Sequence, residues 1–233
     1  MYLYRIIYNI CILSDIKMKK TALASFDNIP FFTIEGFKQV SGIESPHTVR
    51  VMLHRWAQSG EILPLKKGLY MSRHFHEQHW QDVKFSSAVS AIILPNSYVS
   101  LEYVLQQYNL LTDVTYPVTC ITTKNTRTIV NSIGTFWYRS IHPDLFTGFE
   151  ITEYLGIRLA TASLAKALFD YLYLRPIPTA YRSQKINLAE ELRLNLDEMD
   201  DKARKEFAGF IEHRDSRKMH NILENFRRYE WQP

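Results

Sequence analysis

The sequence predicts an α+β protein in two parts, and three observations carry that expectation. Two helix-period segments and a short hairpin pattern occupy residues 30–72. Strand-like runs alternate with turn signals across residues 118–160, and a polar helical stretch follows Pro176 and Pro178. The 233 residues suffice for one large domain or two ordinary ones, and 46% apolar with 22% charged residues is a globular composition.

The elements follow in chain order. The opening run "MYLYRIIYNICILSDIK" is apolar, but Arg5 and Asn9 interrupt it and it is too short to span a bilayer. It lacks the charged start and small-residue cleavage site of a signal peptide. Residues 1–17 are expected to be an upstream extension of the reading frame, with Met18 the natural start; an extra strand or helix packed on the body is the alternative. In "FFTIEGFKQVSG", Thr33 suits a helix N-cap, Glu35 suits the first turn, and Ser41-Gly42 is a stop signal. Ile34, Phe37 and Val40 would form its apolar face. A second helix starts at once in "SPHTVRVMLHRWAQSG", with Ser45 as cap and Pro46 at the first helical position. Val49, Met52, Leu53, Trp56 and Ala57 recur at helical spacing as one buried stripe. His47, Thr48, Arg50, Val51, His54 and Arg55 point outward, and Gly60 ends the helix. Ile62–Leu65 and Leu69–Ser72 then read as two short strands around Lys66-Lys67-Gly68.

Helix, tight turn, helix and basic hairpin is the order of a winged helix-turn-helix domain. In a DNA-binding one, the second helix enters the major groove and the hairpin lies along the phosphates. The candidate DNA-binding residues are Ser45, His47, Thr48, Arg50, His54, Arg55, Lys66, Lys67 and Gly68. Arg50 is the candidate for a guanine contact, because a guanidinium matches the two acceptors of guanine. A protein-interaction role for the same module, and a merely solvated hairpin, stay open. Charge supports a polyanion partner. From Met18 to His76 the bases Lys19, Lys20, Lys38, Arg50, Arg55, Lys66, Lys67 and Arg73 face only Asp27, Glu35, Glu44 and Glu61, so this segment carries the chain's whole net charge of +4. Ordinary surface charge is the plainer alternative.

The domain is expected to span residues 18–76, with a linker at 77–83 that overlaps "HFHEQHW" (residues 74–80) and an α/β domain over 84–233. The histidines of that stretch fit no standard zinc spacing, so no metal is expected. Ala88–Leu94 reads as a short buried helix and Pro95-Asn96-Ser97 as a turn. "YVSLEYVLQQYNLLTD" reads as a helix capped by Ser100, with Leu101, Val104, Leu105 and Tyr108 on one face. "VTCITT", "RTIV", "TFWYRSI", the Phe149–Ile151 run and "IRLA" read as strands of a small, largely antiparallel sheet. Thr161 or Ser163 starts a helix through Leu174, with Lys166 and Asp170 paired on its outer face. From about residue 180 a helical tail follows, with one stripe at Phe207, Phe210 and Ile211 and another at Ile222, Leu223 and Phe226.

Cys11 and Cys120 form no ligand or CxxC spacing, and reduced thiols in a cytoplasmic protein are expected. There is no glycine-rich phosphate loop, no GxSxG and no paired-histidine motif, so neither a cofactor nor an enzyme is expected. The acids of "LDEMDD" fit a helix N-terminus and a solvated loop.

Taken in order, these segments resemble the AbiEi-type antitoxins, the transcription-regulator half of type IV toxin–antitoxin systems. "FFTIEGFKQVSG", "VRVMLHRWAQSGEILPLKKGLY", "YVSLEYVLQQYNLLTD" and "ATASLAKALFDYLYL" carry the likeness, with "ITTKNTRT", "GTFWYRSI" and "LFTGFE" between the last two. It covers roughly residues 20–175, and its order is what marks it, since no one motif is diagnostic. The resemblance implies a winged helix that binds operator DNA and represses its own operon. It also implies a C-terminal domain that opposes a nucleotidyltransferase-like toxin, generally without a stable complex. Lys66, Lys67 and Gly68 match the family's basic hairpin. Lys166, Ala167, Leu168 and Asp170 match a Glu-Lys-Ala-Leu-x-x-Asp-like segment only in part, because Ala165 stands at the acid's place and Asp170 comes one residue early. The alternatives are a free-standing winged-helix regulator whose C-terminal domain dimerises or senses a ligand, and an enzyme targeted by the winged helix. No membrane partner is expected.

Overall fold

The protein is mixed α+β. The computed structural model describes residues 21–112, 117–177, 186–213 and 216–231. Residues 1–17, expected as an extension, lie outside the described residues. The chain divides into two compact units: one runs to Ile93 and includes Val130–Ile133, the other holds Leu94–Ile129 and the chain from Gly134 on.

In the first unit, local sequence signals act as expected. The Thr33 hydroxyl accepts from the Gly36 N–H at 3.0 Å and starts helix α1 (Ile34–Ser41), which Gly42 closes with its N–H on the Lys38 carbonyl. Ser45 caps α2 (Pro46–Ser59) by accepting from the Thr48 N–H at 3.3 Å, and Gly60 ends it. Phe26, Phe32, Phe37, Val49, Met52, Leu53 and Ile62 make one core, with Trp56 and Ala57 packed on it. Val40, expected on the buried face of α1, is 51% exposed. Phe37 alone anchors that short helix as a fully buried residue.

Strands β2 (Ile62–Lys66) and β3 (Leu69–Ser72) pair antiparallel, and Phe32–Thr33 (β1) adds a third strand in the order β1-β3-β2. Pro64 is tolerated because β2 is an edge strand. The register shifts between Pro64 and Lys66, so that Lys66 faces Leu69 across the ladder. The turn is therefore Lys67-Gly68 alone, and Gly68 takes φ +77°, which a side chain there would strain.

The expected linker at 77–83 does not separate two bodies here. Ser72 caps a helix, α3 (Arg73–His79), and α4 (Phe85–Ile93) follows it, both within the first unit. Buried Phe75 and Phe85 hold these helices down, the latter against the His76 ring at a centroid distance of 5.6 Å. The boundary thus falls after Ile93 rather than after His76, because the polar residues of 74–84 belong to the exposed side of α3 and to the exposed turn that leads into α4.

The second unit is built on a six-stranded sheet of order β6-β7-β5-β4-β9-β8. Its strands are β4 (Ser97–Val99), β5 (Val118–Thr122), β6 (Arg127–Val130), β7 (Thr135–Ser140), β8 (Phe149–Tyr154) and β9 (Ile157–Ala162). The sheet, expected to be largely antiparallel, combines antiparallel and parallel pairs. β5 and β7 run parallel in five-residue register, and β4 pairs parallel with β9, while β4–β5 and β8–β9 are antiparallel. Every residue of β5 is buried, as befits a central strand covered on both sides. Helix α5 is only Glu102–Gln107, because Tyr98 and Val99 belong to β4. Tyr108, expected on its inner face, is 49% exposed. Helix α6 (Leu164–Leu174), capped by Ser163, packs against α8 (Asp201–His213). The short helix α7 (Leu188–Leu192), through Leu188 and Ala189, and α9 (Arg217–Tyr229), through Ile222, Leu223 and Phe226, complete the unit with Phe207 and Ile211 of α8.

Candidate nucleic-acid interface

The stripe Val49, Met52 and Leu53 faces the core of the first unit, and at 3.6 residues per turn this fixes what α2 shows to solvent. His47, Thr48, Arg50, His54 and Arg55 are all exposed and share that opposite side. No acid lies between Pro46 and Ser59, so no partner within the helix neutralises Arg50 or Arg55. Ser45 is exposed too, but its hydroxyl is engaged at the cap. Its role in the candidate face is to set where the helix begins.

The two lysines of the hairpin part company. Lys66 belongs to β2, and its Nζ donates to the Ile93 carbonyl at 2.6 Å, reaching the end of α4. Both lysines of the expected tip are exposed, but Lys66 lies in β2 beyond the register shift and its ammonium is engaged by the Ile93 carbonyl, so the two-residue turn itself carries Lys67 alone. Lys67 is the exposed basic residue of the turn. Beside it on β2, the Leu65 carbonyl accepts from the Asn131 side-chain amide at 3.0 Å. That bond occupies one outward carbonyl of an edge that would otherwise invite strand pairing.

A second polar constellation lies in the other unit, where the sequence reading placed a surface pair. Lys166 and Asp170 are both 0% exposed. The Lys166 Nζ donates to Asp170 Oδ1 at 2.7 Å and to the Leu145 carbonyl at 2.8 Å. Asp170 Oδ2 accepts from the Tyr98 hydroxyl at 2.9 Å and the Ser100 hydroxyl at 2.8 Å. Ser100 is thus not a helix cap; it is committed to a carboxylate 70 residues away. The ammonium also lies 4.8 Å from the Phe169 ring centre. Gly148 makes room: a Cβ there would lie 2.9 Å from Lys166 Cγ and closer still to Phe210, and its φ is +76°. Burial pushes the Asp170 carboxyl up and the Lys166 ammonium down, each against the pull of the other's charge. The Tyr98 hydroxyl is pushed up by burial and by the neighbouring Asp170 charge.

One signal in the sequence could have revealed this pair. "LAKALFDYLYL" is apolar on every side except at these two positions, and a helix apolar all round is buried with its charges. Each polar side chain of this closed cluster is hydrogen-bonded, and Lys166, Asp170 and Ser100 are all 0% exposed. The cluster ties α6 to β4 and to the turn at Leu145.

Among the described residues no group of three or more His, Cys, Asp or Glu could hold a metal ion, so the histidines of residues 74–79 assemble no such cluster. No helix among the described residues is long and apolar enough to cross a membrane. No family model matches the chain, and no curated protein matches it.

Proposed function

We propose that the first unit is a winged helix that binds double-stranded DNA, and that the chain is an antitoxin repressing its own toxin–antitoxin operon. The observation that carries the reading is the exposed side of α2, where two arginines, two histidines and a threonine stand with no acid among them. That side matches a major groove lined by acceptors, with the helix's N-terminal residues leading. Lys67, at the exposed turn, would meet a phosphate and release its counterion. In this reading Arg50 contacts guanine while Arg55 and Lys67 set register on the backbone. The protein acts by binding rather than by catalysis.

The antitoxin half of the proposal rests on the ordered resemblance to AbiEi-type proteins. The second unit would oppose a nucleotidyltransferase-like toxin in the cytoplasm. A reporter driven by the chain's own upstream DNA tests the repressor half. Expression should fall when the protein is supplied and recover with Arg50→Ala; equal expression with and without the protein contradicts it. Co-expression with the neighbouring gene tests the other half. Relief of that gene's growth inhibition is expected, and no relief would leave a free-standing regulator.

A further inference from the structure

We propose that Val51 is a specificity-determining residue of this interface and that it reads the C5-methyl group of a thymine. The inference rests on the DNA-binding reading above and deepens it. Val51 is 36% exposed. Apart from Pro46 at the helix start, it is the one apolar residue on the exposed side of α2. It lies one turn after His47 and one turn before His54 and Arg55, roughly 160° around the helix from buried Val49. Val51 therefore occupies the centre of the side that would face the groove floor, flanked by hydrogen-bonding and charged side chains.

Single apolar residues are ordinary on protein surfaces, so exposure alone carries nothing. Position and residue type together do. Valine is a poorer helix former than alanine, leucine, lysine or glutamate, so helix stability does not favour it at a solvated site. Base edges in the major groove are donors and acceptors with one apolar exception, the thymine methyl. An apolar side chain at the middle of a donor-rich helix face meets a matching surface only there. Arg50, immediately before it, would place a guanine within a step or so of that thymine.

The test starts with the full chain and a random double-stranded DNA library, from which bound sequences are selected and enriched. In the enriched duplex each thymine is then replaced in turn by uracil, which removes only the methyl group. At one thymine the wild-type protein should bind about fourfold more weakly, the scale of one buried methyl. 5-Bromouracil, apolar and methyl-sized, should restore binding at that position. Val51→Ala, at an exposed site and with better helix propensity, should fold and be indifferent among thymine, uracil and 5-bromouracil. Val51→Ile should keep the discrimination. An enriched motif in which every uracil is neutral overturns the role of Val51 and leaves the DNA-binding reading standing. So does a Val51→Ala protein that still loses fourfold on uracil. A library that yields no enriched motif overturns sequence-selective binding, and this inference falls with it.

Discussion

The two units handle their charges in opposite ways. In the first, Arg50, Arg55 and Lys67 are left in water, and no acid of α2 answers the arginines. In the second, Lys166 is fully withdrawn from solvent and spends its charge on Asp170, the Leu145 carbonyl and aromatic rings. An exposed charge costs the fold little and stays available to a polyanion. A buried one is expensive to desolvate and tolerable when it is paired with an opposite charge and hydrogen-bonded. Under the proposed function the difference separates two roles, binding on the exposed basic surface and architecture in the hydrogen-bonded interior.

Breaking the interior cluster gives the largest expected effect. Asp170→Ala leaves a buried ammonium with its main partner gone and frees the Tyr98 and Ser100 hydroxyls. It should cost about 3–5 kcal/mol in chemical denaturation. Replacing the pair together, Lys166→Met with Asp170→Leu, should recover most of that loss. Burial already shifts both groups toward their neutral forms against their mutual attraction. A double variant as unstable as the single one would show that the bonds, not the charges, set the geometry.

Arg50→Ala should come next. Under the proposed function it costs about 1–3 kcal/mol of selective DNA binding and little on random DNA, with the fold unchanged. Equal losses on both DNAs would remove Arg50 from base reading. Ser45→Ala should then cost ~1 kcal/mol of stability, because the Thr48 N–H loses its acceptor at the start of α2. The smallest effect sharpens the comparison within one hairpin. Lys67→Ala should lower the salt slope of DNA binding by about 1. Lys66→Ala should leave that slope unchanged and instead cost about 1 kcal/mol of stability, as expected for a side chain bonded to the Ile93 carbonyl. Equal slope changes from both lysines would contradict the division between them.

What was legible in the sequence was local. Thr33, Gly42, Ser45, Pro46 and Gly60 mark the ends of α1 and α2 because caps and stops act within three or four residues. The buried stripe of α2 and the hairpin strands were equally readable. What was not legible depends on distant partners. Ser100 has the chemistry of an N-cap and precedes an apolar pattern, yet Asp170 claims its hydroxyl. The parallel pairing of β5 with β7 follows from how the chain crosses between strands, which residue alternation does not encode. Lys66 looked like a tip residue until the register shift at Pro64 placed it in the strand. For the candidate interface, the α2 residues share the exposed side as read from the sequence, whereas the bond from exposed Lys66 to the Ile93 carbonyl, made with a residue 27 positions on, could not be read there.

The most direct test is a titration of the full chain against its own upstream DNA, at two salt concentrations, beside random DNA of equal length. The account predicts tighter binding to the upstream duplex, weakening steeply as salt rises. Binding to the upstream duplex no tighter than to random DNA would contradict it, and the exposed basic side of α2 would then need a different partner.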